Sequence, residues 1–506
     1  MATTGPGVPP TSTAIAADST RGGIELNGLN VIDESERKGR SRDLFWPWFG
    51  SNVSVFGISY GSFLLGFGVS FLQASVIAVV GIVVSFLLCG FVALAGKRGS
   101  APTMVLSRAA FGVRGNRLPS LLSWLLTVGW ETVLVSLAVL STATVLERLG
   151  AGGGVGTKIV ALVVVAALVV SAGIAGFTAI MRLQRVITVV TAVLTVVYVL
   201  LVLDDIDLAA VAALPSGALP AVIGALVLMM TSLGLGWVNA AADYSRYLPR
   251  GTASRGVVGW TTLGGSLAPV LLVVFGVLLA GSSADLSTAI GADPIGALTT
   301  LLPTWFLVPF ALVAVLGLVG GAVLDIYSSG LALLSAGIRI PRFAAAAVDG
   351  VLMVAGAVYV VFVANDFVYP FQGFLITLGV PIAAWCGVML ADVALRRRNY
   401  VDADLYDPRG RYGDVRWAPL LLVVVATVAG WGLVTNTYAG WLGWQGYLLG
   451  PLGGREGGWA YANLGVLVAL LIGFVGALLL SRSAVRAQES LADSGPVTAG
   501  RAGDAA

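Results

Sequence analysis

The chain has 506 residues, of which 57% are apolar and only 11% charged, with a formal net charge of +3. Soluble domains carry about 25% charged residues, so this composition excludes a soluble globular protein and points to a polytopic membrane protein. The small positive balance needs no nucleic-acid partner, and the absence of histidine excludes a histidine-based metal site.

In chain order, residues 1–45 come first. Their runs "GPGVPPTST" and "DESERKGRSRD" are polar and lack the early apolar core of a signal peptide, so they read as a disordered N-terminus. Windows of about 20 apolar residues then predict twelve spans. They lie near 46–66, 70–95, 119–146, 157–179, 184–203, 220–241, 257–281, 306–336, 343–363, 368–394, 418–436 and 460–481. The tryptophan-rich stretch 436–454 reads as a loop at the membrane interface, where Trp and Tyr prefer to sit. Residues 484–506 read as a second disordered tail.

Of the 29 Lys and Arg residues, 26 fall on the side that holds both ends, and only Arg148, Lys158 and Arg455 lie opposite. That bias predicts cytoplasmic termini, an even number of spans and an inner (plasma) membrane location. Cys89 and Cys386 both fall inside spans, so no disulfide framework is expected. With no histidine available, any proton-carrying side chain is expected to be a carboxylate.

Span 1, "FWPWFGSNVSVFGISYGSFLLG", mixes Pro47, Gly50, Gly57 and Gly61 with Asn52, Ser54 and Ser59. The basic loop "GKRGSAPTMVLSRAAFGVRGNRLPS" predicts a short helix on the cytoplasmic surface. Span 3 contains "LTVGWETVLV": Thr127, Trp130 and Glu131 stand at i, i+3 and i+4 on one helical face. An indole beside a carboxylate and a hydroxyl suits a flat ring carrying N–H donors. A structural, hydrogen-bonded acid is the other reading of Glu131. Intramembrane acids are costly, and by default they mark a functional site.

Span 6 holds Gly234, Gly236, Trp237 and Asn239 beside Thr231 and Ser232. Glycines with small polar residues in spans 1 and 6 predict two unwound helices, whose freed backbone groups bind ligand or ion. Close helix packing is the plainer reading of any single glycine, and core packing that of Trp237. The placement of the two breaks predicts inverted five-helix repeats over 46–203 and 204–395. Residues 396–483 then hold a cytoplasmic loop with helices 11 and 12. Asp243 and Arg246, at i and i+3 after span 6, read as an intrahelical or gating salt bridge.

Span 8 places Asp325, Ser328 and Ser329 at the same i, i+3, i+4 spacing, either as a second polar face or as bridges between helices. Asn365 and Asp366 read as a solvated turn, and Gln372 as lining an outer vestibule. No phosphate loop, CxxC or nucleophile elbow occurs, so no enzyme is expected and no cofactor beyond a coupling cation. The residues alone thus predict a secondary transporter driven by an ion gradient. The lipid bilayer and a small substrate are its partners, with no obligate protein partner.

The runs "GKRGSAPTMVLSRAAFGVRGN", "WLLTVGWE", "GWVNAAADYSRYLP", "DIYSSGLALLSAG" and "FLITLGVPIAAWCGVMLADVALRRRNY" occur in that order. Together they resemble the purine–cytosine permease group of the nucleobase:cation symporter-1 family over about residues 40–480. The resemblance implies twelve helices in a leucine-transporter-like five-plus-five inverted repeat plus two C-terminal helices. It also implies cation-coupled uptake of a nucleobase or related heterocycle. It makes Trp130 the plate on which the base stacks, and Ser51, Asn52, Phe56 and the stretch Gly234 to Trp237 the pocket wall. Thr127 stands where cytosine permeases place a glutamine, and Asp325 where relatives have asparagine. The preceding "LGLVGGAVL" lacks the hydroxyls that bind sodium or base in relatives.

These departures favour a proton over sodium as coupling ion, carried by Glu131 or Asp325. Sodium stays open, because backbone carbonyls of span 1 with Asp325 offer hard oxygens. Glu131 facing a ring N–H and an exocyclic amine fits guanine-like or aminopyrimidine edges. Alternatives are a carrier for a vitamin-precursor heterocycle, of aminopyrimidine or pyridoxine type, and a non-transporting membrane ligand sensor.

Overall fold

A computed structural model describes residues 20–21, 24–25, 28–364, 368–436 and 440–491. Asn365 and Asp366 lie outside this set. Apart from a hairpin of two two-residue strands, Thr20–Arg21 against Ile24–Glu25, the regular secondary structure of the described residues is helical. Among the described residues, nine helices are long and apolar enough to cross a membrane. They coincide with nine of the expected spans, numbers 2 to 10. The other three expected spans are also helical. Span 1 is split, while spans 11 (Trp417–Trp431) and 12 (Leu464–Leu480) are 15 and 17 residues long. Stretch 440–454 forms only short 3-10 turns with exposed Trp441, Trp444 and Tyr447, in keeping with an interfacial loop.

Span 1 runs as Phe45–Asn52 and Phe56–Leu65, and Val53 to Val55 between them are not helical. Span 6 runs as Leu219–Ser232 and resumes beyond Leu233 as short turns through Ser245. Spans 3 (Arg117–Arg148), 8 (Leu307–Ser335) and 9 (Arg342–Phe362) are continuous. The glycines at the broken spans serve close approach. A Cβ on Gly276 of span 7 (Ser254–Ser282) would sit 1.9 Å from the Ile58 carbonyl oxygen of span 1. A Cβ on Gly234 would sit 2.2 Å from the Ser85 carbonyl carbon of span 2 (Phe71–Gly99).

Packing divides the molecule into two groups. Span 7 packs on span 2 and on the second half of span 1, and span 6 packs on span 2. Span 3 packs on spans 4, 8 and 9, and span 4 (Val155–Ala175) on spans 8 and 9. The pairs 2–7, 3–8 and 4–9 each join a helix to the one five places later, as expected of a two-repeat fold. Span 5 (Phe177–Leu201) bridges the first half of span 1 to span 8. Exposed Val and Leu side chains on spans 4 and 5 give these helices an apolar outer surface suited to lipid.

Three expectations change near the face where the described residues begin and end. Residues 28–44, expected to be disordered, lie folded against that face. Ile32 is fully buried with its N–H on the Ser100 carbonyl (2.8 Å), and buried Arg37 donates to the Ile32 carbonyl. At the other end, Arg482–Ser490 is a helix where the tail was expected to be disordered from residue 484. The loop after span 2 forms two one-turn helices, Thr103–Leu106 and Arg108–Phe111, all of whose residues are buried. It packs inward because Thr103 donates to Asp243 and Arg108 to the Leu405 carbonyl.

Candidate functional site

The breaks of spans 1 and 6 face the middle of span 3 and enclose a central cavity of about 50 Å³. Span 1 contributes Ser51, Asn52, Phe56 and Tyr60 to its wall, and span 6 contributes Ser232 and Trp237. Trp130 of span 3, Pro269 of span 7 and Asp325 of span 8 complete the polar and aromatic lining. Asn52 commits its amide donors to the Trp48 carbonyl (2.7 Å) and Ser51 Oγ (2.9 Å). What it offers a ligand is therefore its carbonyl oxygen. Trp130 is buried with its indole N–H unpartnered, and a Cβ at Gly236 would lie 3.1 Å from that nitrogen. Gly236 thus lets the indole edge reach the span 6 backbone. Gly234 serves the seam with span 2, where its N–H meets Ser85 Oγ at 3.2 Å.

Glu131 does not line this cavity. One residue after Trp130 on a helix is a turn of about 100°, and it carries the carboxylate toward spans 8 and 9. There Glu131 is fully buried, with neither oxygen hydrogen-bonded, and Asp349, Ser329 and Asp325 are its polar neighbours. Ser329 donates to Asp349 Oδ2 at 2.8 Å, and Trp124 of span 3 donates to Asp349 Oδ1 at 2.7 Å. Asp325 joins the two places: it lines the cavity, is 1% exposed, and its Oδ2 has no partner. Thr127 is buried and returns its hydroxyl to the Ser123 carbonyl at 3.0 Å, away from the cavity.

Asp349 is absent from the expected set. Its sequence signal, one acid in the apolar run "AAAAVDGVLMV", equals that of Glu131. Among the described residues, no three His, Cys, Asp or Glu side chains gather as a metal site.

The cavity is closed on both sides. Toward the chain ends, Trp48 is fully buried edge-on to Trp237 (5.7 Å) and Tyr244 (5.3 Å). Below it, Arg246 donates to the Tyr327 hydroxyl at 2.6 Å and to the Gly28 carbonyl at 3.1 Å. Asp243 accepts from the Thr103 N–H (2.7 Å) and hydroxyl (2.8 Å). Asp243 and Arg246 thus each tie span 6 to a different neighbour. On the opposite side Phe371 of span 10 (Val368–Leu395) meets Trp130 edge-on at 5.5 Å and Phe56 at 6.1 Å. Beyond this aromatic layer lies a vestibule of about 540 Å³ lined by Ser62, Phe63, Thr231 and Gln372.

Two interrupted helices meeting at an occluded cavity inside a two-repeat helical bundle define the class: a polytopic membrane carrier. Residues 31–450 match the family model described as "Permease for cytosine/purines, uracil, thiamine, allantoin". A putative purine-cytosine permease, YxlA of Bacillus subtilis (strain 168), is 22% identical over 414 residues, 80% of this chain and 86% of its own.

Among solved structures, Mhp1 is a nucleobase-cation-symport-1 family transporter seen closed with bromovinylhydantoin bound. It aligns with a TM-score of 0.67 at 19% identity, covering 93% of this chain and 97% of its own. The inward-facing form of Mhp1 aligns with a TM-score of 0.62 at 21% identity, over 94% and 96%. The chain belongs to the family of permeases for cytosine/purines, uracil, thiamine and allantoin, and the five-plus-five fold expected from its sequence is the fold it shares with Mhp1.

Proposed function

We propose that this permease is a secondary active symporter importing a purine or pyrimidine base, or a close heterocycle, together with a cation. The observation that carries this reading is the cavity wall: two indoles and a phenyl ring stand beside Asn52 and Asp325, at the break of both interrupted helices. A planar heterocycle stacks on Trp130, while the Asn52 carbonyl oxygen and Asp325 accept its N–H donors. At about 50 Å³ the cavity holds only a few waters. Loading therefore requires the aromatic layer around Phe371 to part, and release requires the Trp48–Arg246 closure to open.

The proton is the favoured coupling ion. Glu131 and Asp325 bring buried carboxylate oxygens without a hydrogen-bond donor into the bundle interior, where an ionised acid is costly and a bound proton lowers that cost. Span 8 meets the span 1 break through Gly317, Gly320 and Gly321, which carry no side-chain oxygen for sodium. In this reading the face with both chain ends is cytoplasmic, in a cell plasma membrane, following the Lys and Arg bias. A vitamin-type heterocycle is the second reading, because the family description includes thiamine.

Uptake of radiolabelled cytosine, adenine, guanine, hypoxanthine and thiamine into proteoliposomes tests the proposal, with proton and sodium gradients imposed separately. The expected result is accumulation of one base class under an inward proton gradient alone. Saturable binding without accumulation under either gradient would make the protein a sensor, and sodium-only accumulation would remove the proton.

A further inference from the structure

Span 10 ends at Leu395 and is followed by Arg397 and Arg398, both exposed. Span 12 ends at Leu480, and the chain turns by 53° into the helix Arg482–Ser490. Arg482 and Arg486 stand at i and i+4 on the exposed face of that helix. Its inner face is anchored: Val485 and Gln488 are buried, and Gln488 Oε1 accepts from Arg396 at 2.7 Å. Glu489 Oε1 also accepts the backbone N–H groups of Arg397 (2.7 Å) and Arg398 (2.9 Å). These bonds clamp the two chain segments together, so all four guanidinium-bearing residues line one cavity of about 760 Å³.

The same cavity is apolar along its other edge, where Leu395, Leu478 and Leu479 line it. Leu479 is 77% exposed at the end of a membrane span, so its surroundings there are acyl chains. A cationic roof over an apolar, lipid-facing wall is the complement of one molecule type: a phosphate diester joined to hydrocarbon. Guanidinium groups suit the phosphate because their paired N–H donors match its oxygens. The clamp makes the groove a formed site whose basic residues are held in place. Glu489 is the one acidic residue in its lining, and its Oε1 is already engaged by two backbone N–H groups.

We infer that this groove between the ends of spans 10 and 12 is a binding site for an anionic phospholipid, with Arg397, Arg482 and Arg486 on the headgroup and Leu478 and Leu479 along a chain. Basic residues beside a span end are worth about 1 kcal/mol each toward anionic lipid, or roughly fivefold in affinity.

The test is native mass spectrometry of the full-length protein titrated in neutral detergent with phosphatidylglycerol or phosphatidylcholine. The wild type is expected to retain one phosphatidylglycerol in preference to phosphatidylcholine. R482Q/R486Q is expected to lose that preference by roughly 25-fold with an unchanged melting temperature. R397Q serves as the second variant, because the clamp uses its backbone N–H and survives loss of the side chain. It is expected to weaken the preference by roughly fivefold. Equal retention of both lipids by the wild type, or an undiminished preference in both variants, overturns the site. Glycerol phosphate and inorganic phosphate form the competing arm. Failure of either to displace the lipid supports it, and displacement at matched concentration shows a free-phosphate site instead.

Discussion

The cavity between spans 1 and 6 and the acid cluster between spans 3, 8 and 9 lie on adjacent faces of one helix, yet they are built on opposite principles. The cavity sits where two helices are interrupted, and rings, serine hydroxyls, one amide and one acid line its wall. The cluster sits between three continuous helices, and its polarity comes from side chains: Glu131, Ser329, Asp349 and Trp124. Interrupted helices can re-form around a ligand, whereas continuous ones hold a charge in a fixed frame. In the function proposed above, this contrast becomes a division of labour: substrate recognition in the broken helices and proton handling in the frame, with Asp325 as the link.

The largest effect is expected at the seam between spans 1 and 7. Gly276→Val places methyl groups where a Cβ alone already meets the Ile58 carbonyl oxygen at 1.9 Å, far beyond ordinary overpacking costs of about 1–3 kcal/mol. No monodisperse protein is expected in size-exclusion chromatography. Next in size is Trp130→Ala. Base–aromatic stacking is worth about 1–3 kcal/mol, so the KM for uptake is expected to rise about 5- to 150-fold with the same ion dependence.

Asp349→Asn sharpens the other side. It keeps an acceptor for Trp124 while turning two charge-assisted hydrogen bonds into neutral ones, a loss of about 1 kcal/mol. Gradient-driven accumulation is expected to fall about fivefold with KM unchanged, measured in the same vesicles. The smallest effect is expected from Tyr327→Phe, which removes the hydroxyl that accepts from Arg246. A hydrogen bond to a charged group is worth about 1.5 kcal/mol or more, but Arg246 keeps the Gly28 carbonyl. Labelling of Cys at position 51 from the side of the chain ends is expected to quicken by about two- to fivefold.

Much of this was legible in the sequence because membrane physics is local. Apolar runs gave the positions of the spans, and glycines beside small polar residues gave both interrupted helices. The aromatic and polar lining from Ser51, Asn52, Phe56, Trp130, Trp237 and Asp325 was legible too. Helical spacing grouped Thr127, Trp130 and Glu131 on one face, but that face is broad enough to serve three neighbours at once. Which neighbour each residue meets depends on packing across spans 8 and 9, which spacing does not encode. Asp349 carried a signal as plain as that of Glu131, without an aromatic residue beside it to draw attention.

The folding of residues 28–44 was hidden for a different reason. It rests on bonds between segments far apart in the chain, such as the Tyr406 hydroxyl on the Leu29 carbonyl and Arg246 on Gly28. A polar composition gives no sign of such bonds.

The most direct test of the division between cavity and cluster is a paired measurement on Glu131→Gln: equilibrium binding of the transported base to purified protein, and its accumulation in vesicles under an inward proton gradient. The account predicts binding close to wild type, because Glu131 does not line the cavity, together with loss of gradient-driven accumulation. Loss of binding would place Glu131 at the substrate, and intact accumulation would leave it a structural acid; either result contradicts the division.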